Sequence, residues 1–406
     1  MDRLSWLALT MVMLPLGCVH VPWRGIDVDP VNIRVLPASN TFANASGSGE
    51  STTWQGRVSA VGRALPDLPA TTLQLPAVSP DGRWIAFLED DPDQPPATPE
   101  SAITGNGIEH VRLRLRSLEA EGAGEVIATG VAWPSWSDDG SALLFVNYDA
   151  QGVAYIGLHD PDEGMTQLAA VGLRRMMMPR LSPDGQTVAV IAYNLVPDQA
   201  QLFVVDLATR QATPGPTSVG GAQLLPRWVS DEALVFVELA GAPDAGEEDR
   251  ATLRAWRRGG GASVELAELV APDNIFDAQL LLAGVQRPLR PGGGAFALFE
   301  PAMGQVTLVE LATGQRLPTL PRSVAGAWYG PEWFVAAGPQ DVRMLHLPDP
   351  LDVPDAGRLQ GVRLFDGQWA PLLADPNRQG LVLMGRSDDP TRRSLTQLWL
   401  QVNADE

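Results

Sequence analysis

The aspartates Asp81, Asp138, Asp139, Asp184 and Asp231 are the residues whose type and recurrence could do chemistry. Paired carboxylates can divide general acid and general base roles, but only where they converge on one substrate. Four of these five lie inside one repeated phrase: Ser79-Pro80-Asp81-Gly82, Ser137-Asp138-Asp139-Gly140 and Ser182-Pro183-Asp184-Gly185. Proline pre-sets φ for a turn, aspartate bonds back to nearby amides, and glycine takes φ > 0 without a Cβ clash. Each copy presents its carboxylate at its own turn, apart from the next copy. The aspartates therefore read as structural, Gly82 and Gly185 are expected at positive φ, and no catalytic residue is assigned.

Other reactive patterns are equally thin. An aspartate box needs S-x-D-x-G-x-x-W, and here glycine follows the aspartate directly. There is no G-x-S-x-G nucleophile elbow. His20, His110, His159 and His346 are scattered without HExxH or ligand spacing, so they read as solvated or locally bonded. The acidic runs from Asp90 and Asp160 do not follow the EF-hand pattern. No metal or cofactor is expected. Trp84, Trp136, Trp228, Trp328, Trp333 and Trp369 fall in or beside the repeated turns, which favours packing between sheets over a carbohydrate-stacking platform. Met176 to Met178 reads as core strand.

The elements that position these turns are short strands. Pro76 to Phe87, PAVSPDGRWIAF, enters a turn and leaves as an apolar run with no helical period, which suits a strand covered on both faces. The phrase recurs from Pro134, Pro179, Pro226 and Pro288, and in weaker form from Ala327 and Pro371. With Ser79, Ser137, Ser182, Val229, Pro291, Tyr329 and Ala374 as equivalents, the steps run from 38 to 62 residues. Alternating strands follow each turn, such as Val111 to Leu118, where Arg112, Arg114 and Arg116 give one wet face. Repeats of short strands at this period mark an all-β fold, a β-propeller, with seven four-stranded blades. Six or eight blades stay open, because the late copies are weak. The last blade lacks a strand. A segment between Thr53 and Leu75, such as Trp54 to Val61, is expected to pair with Gln397 to Val402 and close the ring.

The phrase P-x-x-S-P-D-G before an apolar strand resembles the WD-like propeller repeat of the TolB group, which also occurs in propeller domains of prolyl oligopeptidases. The resemblance covers about Thr53 to the C-terminus, sharpest at Ser79, Ser137 and Ser182. It implies a protein-binding role at the cell envelope, as TolB-like proteins bind partners such as the peptidoglycan-associated lipoprotein. It does not transfer the partner. The separate N-terminal α/β domain of TolB has no counterpart in Val19 to Thr52, which is too short.

Composition agrees with a turn-rich all-β protein. The chain has 406 residues, 40 glycines, 35 prolines and a formal net charge of −19. That charge repels phosphate backbones and anionic headgroups, so neither nucleic acid nor electrostatic membrane docking is expected. Cys18 is the one cysteine, which excludes an internal disulfide. Leu4 to Leu16 is apolar but too short to span a bilayer. Leu14 to Cys18, LPLGC, resembles a bacterial lipobox, with Pro15 departing from the usual aliphatic residue. The resemblance implies residues 1–17 as a lipoprotein signal peptide, 18–52 as lipidated Cys18 and flexible tether, and 53–406 as the propeller. Val19 implies sorting to the outer membrane, facing the periplasm. Three acidic loops, Glu89 to Glu109, Ala240 to Arg250 and Pro348 to Gly357, exceed what the repeat needs. The reading is a non-enzymatic envelope lipoprotein whose propeller binds a protein partner or serves as a scaffold, with the membrane reached only through Cys18. The alternatives are a hydrolase or lyase with its site in the channel, or a small-molecule sensor.

Overall fold

The computed structural model describes residues 56–69, 76–90, 107–193, 200–218, 221–240, 250–270, 288–300, 305–318, 325–338, 341–347, 362–366, 369–375, 380–386 and 392–404, with Gln94, Ala97 and Ser323. Cys18, the tether and most of the three acidic loops lie outside the described residues.

Every described element is a strand, and the strands form seven antiparallel sheets. Blade one holds Ala77–Val78, Trp84–Glu89, Arg112–Ser117 and Glu125–Thr129. Blade two runs from Val131–Trp136 to Met165–Ala169, blade three from Arg175–Leu181 to Gln211–Pro214, and blade four from Gly221–Ser230 to Val264–Val270. Blade six runs from Ala325–Trp328 to Val362–Asp366. In blade five the first strand is reduced to a bridge between Leu289 and Phe296, beside three full strands between Ala295 and Pro318.

The burial of successive strands explains their composition. Thr187–Tyr193, second in its blade, is buried throughout, as its unbroken apolar run requires. Gln201–Asp206, third, alternates, and Gln211–Pro214, fourth, is mostly exposed. First strands touch one another around a common axis. Ala77–Val78 meets Val131–Trp136, which meets Arg175–Leu181, which meets Gly221–Ser230; on the other side Ala325–Trp328 meets Trp369–Asp375, which meets Ala77–Val78. Together these features make a seven-bladed β-propeller.

The ring closes as its sequence requires. Gly56–Pro69 pairs antiparallel with Arg392–Ala404, with Val58 opposite Val402 and Arg63 opposite Gln397. Blade seven is therefore three strands from the C-terminus and one from the N-terminal side. The register breaks between Leu65 and Leu68. There Arg116 donates to the carbonyls of Pro66 and Asp67 from blade one. Arg116 was expected on a wet face, but only 3% of it is exposed, because the N-terminal strand covers that side of blade one. Burial pushes its pKa down.

The fifth copy also sits differently from its expected alignment. Arg290 N–H bonds to Ala295 and Gly293 N–H to Arg290, the pattern that Ser79 makes with Trp84 and Gly82. Arg290, not Pro291, takes the serine's place. Gly82, Gly140 and Gly185 lie at φ 70°, 80° and 70°. A Cβ on Gly185 would meet nothing within 4 Å, so a substitution there strains only the backbone. Gly185→Val should cost about 1–2 kcal/mol and Gly185→Asn less, read from urea midpoints; equal stability of both variants and wild type would contradict the turn.

Candidate functional site

The Ser–Asp pairs form one network three times over. The Ser79 hydroxyl donates to Asp81 Oδ1 at 2.5 Å and accepts from Trp84 N at 2.9 Å, while Arg83 N donates to Asp81 Oδ1 at 3.1 Å. Ser137 and Asp139 repeat this with Ala142 N and Ser141 N, at 2.7, 2.9 and 3.0 Å. Ser182 and Asp184 repeat it with Thr187 N and Gln186 N, at 2.5, 3.0 and 3.0 Å. Asp138 does not join its turn: it occupies the place that Pro80 and Pro183 hold in the other copies, and it is exposed. Asp231 Oδ1 accepts from Asp184 N at 2.9 Å, clamping the turns of blades three and four. Arg83 ties its own Asp81 to Asp162 of blade two.

These bonds hold the carboxylates below their ordinary range. At Asp184 the Ser182 hydroxyl and the Gln186 amide lower the pKa. At Asp81 and Asp139 burial acts upward, and the serine and backbone hydrogen bonds outweigh it. A carboxylate with a depressed folded pKa stabilises the fold fully above about pH 4, and that contribution fades as pH falls through the folded value. Melting temperature should therefore drop on acidification below about pH 4. Asp184→Asn should lose about 1 kcal/mol at pH 7 and show a shallower acid slope. An unchanged slope would contradict the turn network.

Three of the tryptophans join blades, and the side chain of Trp369 lies outside the described residues. Trp136 Nε1 donates to Ala77 O at 2.9 Å, Trp228 Nε1 to Arg180 O at 2.9 Å, and Trp328 Nε1 to Pro288 O at 3.2 Å. Blades two, four and six thus each dock an indole on the blade before. Two of the histidines stay local, and His20 lies outside the described residues. His159 Nδ1 lies 2.8 Å from Thr166 Oγ1 and is buried, which lowers its pKa. The His346 ring lies 4.7 Å from that of Trp333, and burial lowers its pKa as well. Among the described residues no group of three His, Cys, Asp or Glu could hold a metal ion.

One cluster was not singled out in the sequence. In blades two, three and four the first strand bulges before the repeat's proline, with Trp133, Met178 and Leu225 at φ 61°, 57° and 60°. Bulky residues at positive φ are uncommon, and a bulge re-aims the side chains beside it. The residue after the proline is Ser135, Arg180 or Arg227. Ser135 Oγ donates to Pro179 O at 2.7 Å in the next blade. Each arginine instead donates to the carbonyl of its own preceding proline, at 2.8 and 3.0 Å, and among the described residues neither pairs with a carboxylate. Arg227 is 8% exposed. Burial lowers both pKa values, that of Arg180 to about 10 and that of Arg227 well below its ordinary value, the charge of Arg180 adding to the second shift. Asp138 opposes both shifts through its charge alone. The visible signal is the Pro-Arg dipeptide in two successive copies, 179–180 and 226–227.

No family model matches the sequence, and no curated protein matches it. Among solved structures, the β-propeller domain of the Trilobed protease from Pyrococcus furiosus, which has an open velcro topology, is similar with a TM-score of 0.52 and 10% identity, over 84% of this chain and 98% of that one. TolB from Acinetobacter baumannii aligns with a TM-score of 0.44 and 15% identity, over 80% of this chain and 68% of that one. An acylaminoacyl peptidase in complex with Z-Gly-Gly-Phe-chloromethyl ketone aligns with a TM-score of 0.49 and 11% identity, over 82% of this chain and 52% of that one. The similarity to the Trilobed protease domain is one of propeller fold, and no activity crosses at that identity.

Proposed function

We propose that this chain is a non-enzymatic lipoprotein of the cell envelope, held by a lipidated Cys18, whose propeller binds a protein partner. One observation carries the reading: the hydroxyl–carboxylate pairs of three blades are bonded within their own turns. The repeat then builds a frame, and recognition falls to the rim and loops that the frame presents. The likeness of P-x-x-S-P-D-G to the TolB repeat supports the same role. The lipobox-like Leu14 to Cys18 supports the anchor, and Val19 supports sorting to the outer membrane.

Two experiments test this. Growth with labelled palmitate should tag the wild type and leave Cys18→Ser unlabelled; equal labelling would remove the anchor. Capture from envelope extract with the full chain as bait should retain a specific protein. Retention of nothing beyond an unrelated lipoprotein bait would overturn the partner-binding role.

A further inference from the structure

We propose that Arg180 and Arg227 form a carboxylate-binding site beside the channel, which takes an acidic side chain or the C-terminal carboxylate of the partner protein. The proposal rests on the partner-binding reading above and names the chemistry of its contact.

The two arginines occupy the same repeat position on the first strands of blades three and four, which touch each other next to the axis. Each stands just before a turn, Arg180 two residues from Ser182 and Arg227 three from Ser230. Bulges at Met178 and Leu225 set both side chains in the same way. A guanidinium keeps its proton in proteins and carries several N–H donors in a fixed fork. Here one donor on each is used, for a neighbouring carbonyl, and no carboxylate among the described residues closes the fork.

Arg227 is buried and Arg180 half-buried, no carboxylate among the described residues hydrogen-bonds either, and two like charges side by side add to the cost of holding them there. The equivalent Ser135 shows that the position does not need a cation to join the blades, since its hydroxyl does so. An anion bound between the two touching strands compensates both arginines at once, and the fork of a guanidinium matches the paired oxygens of a carboxylate. Asp138 selects the kind of anion. Its charge acts on both arginines, so a dianionic phosphate meets more repulsion than a singly charged carboxylate. The −19 net charge of the chain acts in the same direction.

The test titrates the full chain with sodium acetate, sodium phosphate and sodium chloride at pH 7 and matched ionic strength, following melting temperature. Acetate should raise it above the chloride value, because a ligand bound only by the native state stabilises it. Arg180→Gln/Arg227→Gln should remove that rise while melting at or above wild type in chloride. A residue that only held the fold together would not behave so. Should that variant fail to fold, Arg180→Lys/Arg227→Lys keeps the charge without the fork and should weaken acetate about tenfold, near the loss of one charge-assisted hydrogen bond. An acetate rise that survives the Gln substitutions, or that needs no more acetate in the Lys variant than in wild type, overturns the site. A larger rise with phosphate overturns the carboxylate assignment. The envelope capture separates the two claims. A partner retained equally by the Gln variant contradicts the site and leaves the partner-binding role standing. An arginine-dependent acetate rise with no captured protein contradicts that role, and with it the proposed occupant, while the anion site itself stands.

Discussion

Removal of residues 56–69 should abolish cooperative unfolding of the remaining chain. That segment is the fourth strand of blade seven, and without it Arg392–Ala404 becomes an unpaired edge. Leu65 and Leu68 sit in a buried cluster with Val78, Ile85, Phe87 and Leu118 of blade one and Val382 and Leu395 of blade seven. The strand therefore fills the seam between the first and last blades as well as extending a sheet. Burial of each leucine contributes about 1.5–3 kcal/mol, within a total stability of roughly 5–15 kcal/mol for a folded domain. Point changes grade the effect. Leu68→Ala should cost about 2–5 kcal/mol, and Arg116→Ala about 1–3 kcal/mol through the carbonyls of Pro66 and Asp67 that it leaves unmatched. Urea midpoints measure both, and a Leu68→Ala midpoint equal to wild type would contradict the closure.

The second large effect is expected at Trp328, a fully buried indole at the junction of blades five and six. Its ring meets Phe334 edge-on at 5.2 Å, Arg290 stacks over it at 5.6 Å, and Nε1 reaches Pro288 O. Arg290 is fixed in turn by the carbonyls of Pro331 and Leu347 across the same junction. Trp328→Ala should cost about 3–5 kcal/mol, the usual range for an aromatic core truncation. Trp328→Phe keeps most of the volume and loses the hydrogen bond, so it should cost nearer 1 kcal/mol. The gap between the two variants, read from denaturant midpoints, separates packing from the polar link. Similar values for both would show that packing is not what the ring contributes.

How far the fold was legible depended on whether side chains carried the signal. Ser79-Pro80-Asp81-Gly82 and its two close copies announce their turns, because each residue has a backbone job that few others do. The closure was legible as well, since the last blade was short of a strand and a strand-like segment lay spare near Trp54. Blade five was misaligned by one residue. Gly292, Gly293 and Gly294 all lie near φ 85°, and a glycine run fits several frames equally. Asp138 and Asp139 could not be told apart from sequence, as either aspartate suits a turn; only the bond to Ser137 decides. Arg116 looked solvated from alternation alone, because alternation shows which side of a strand a residue takes and not what covers that side. Arg180 and Arg227 were visible as Pro-Arg pairs, but that they stand on touching first strands depends on how neighbouring blades pack.

The most direct measurement is native-state hydrogen exchange followed along the two ends of the chain. A closed ring predicts that amides of Gly56–Pro69 and Arg392–Ala404 are protected alike and lose protection together as urea is raised, since each strand is the other's ladder partner. Free-chain exchange across Gly56–Pro69, with blades two to four still fully protected, would contradict the closed propeller.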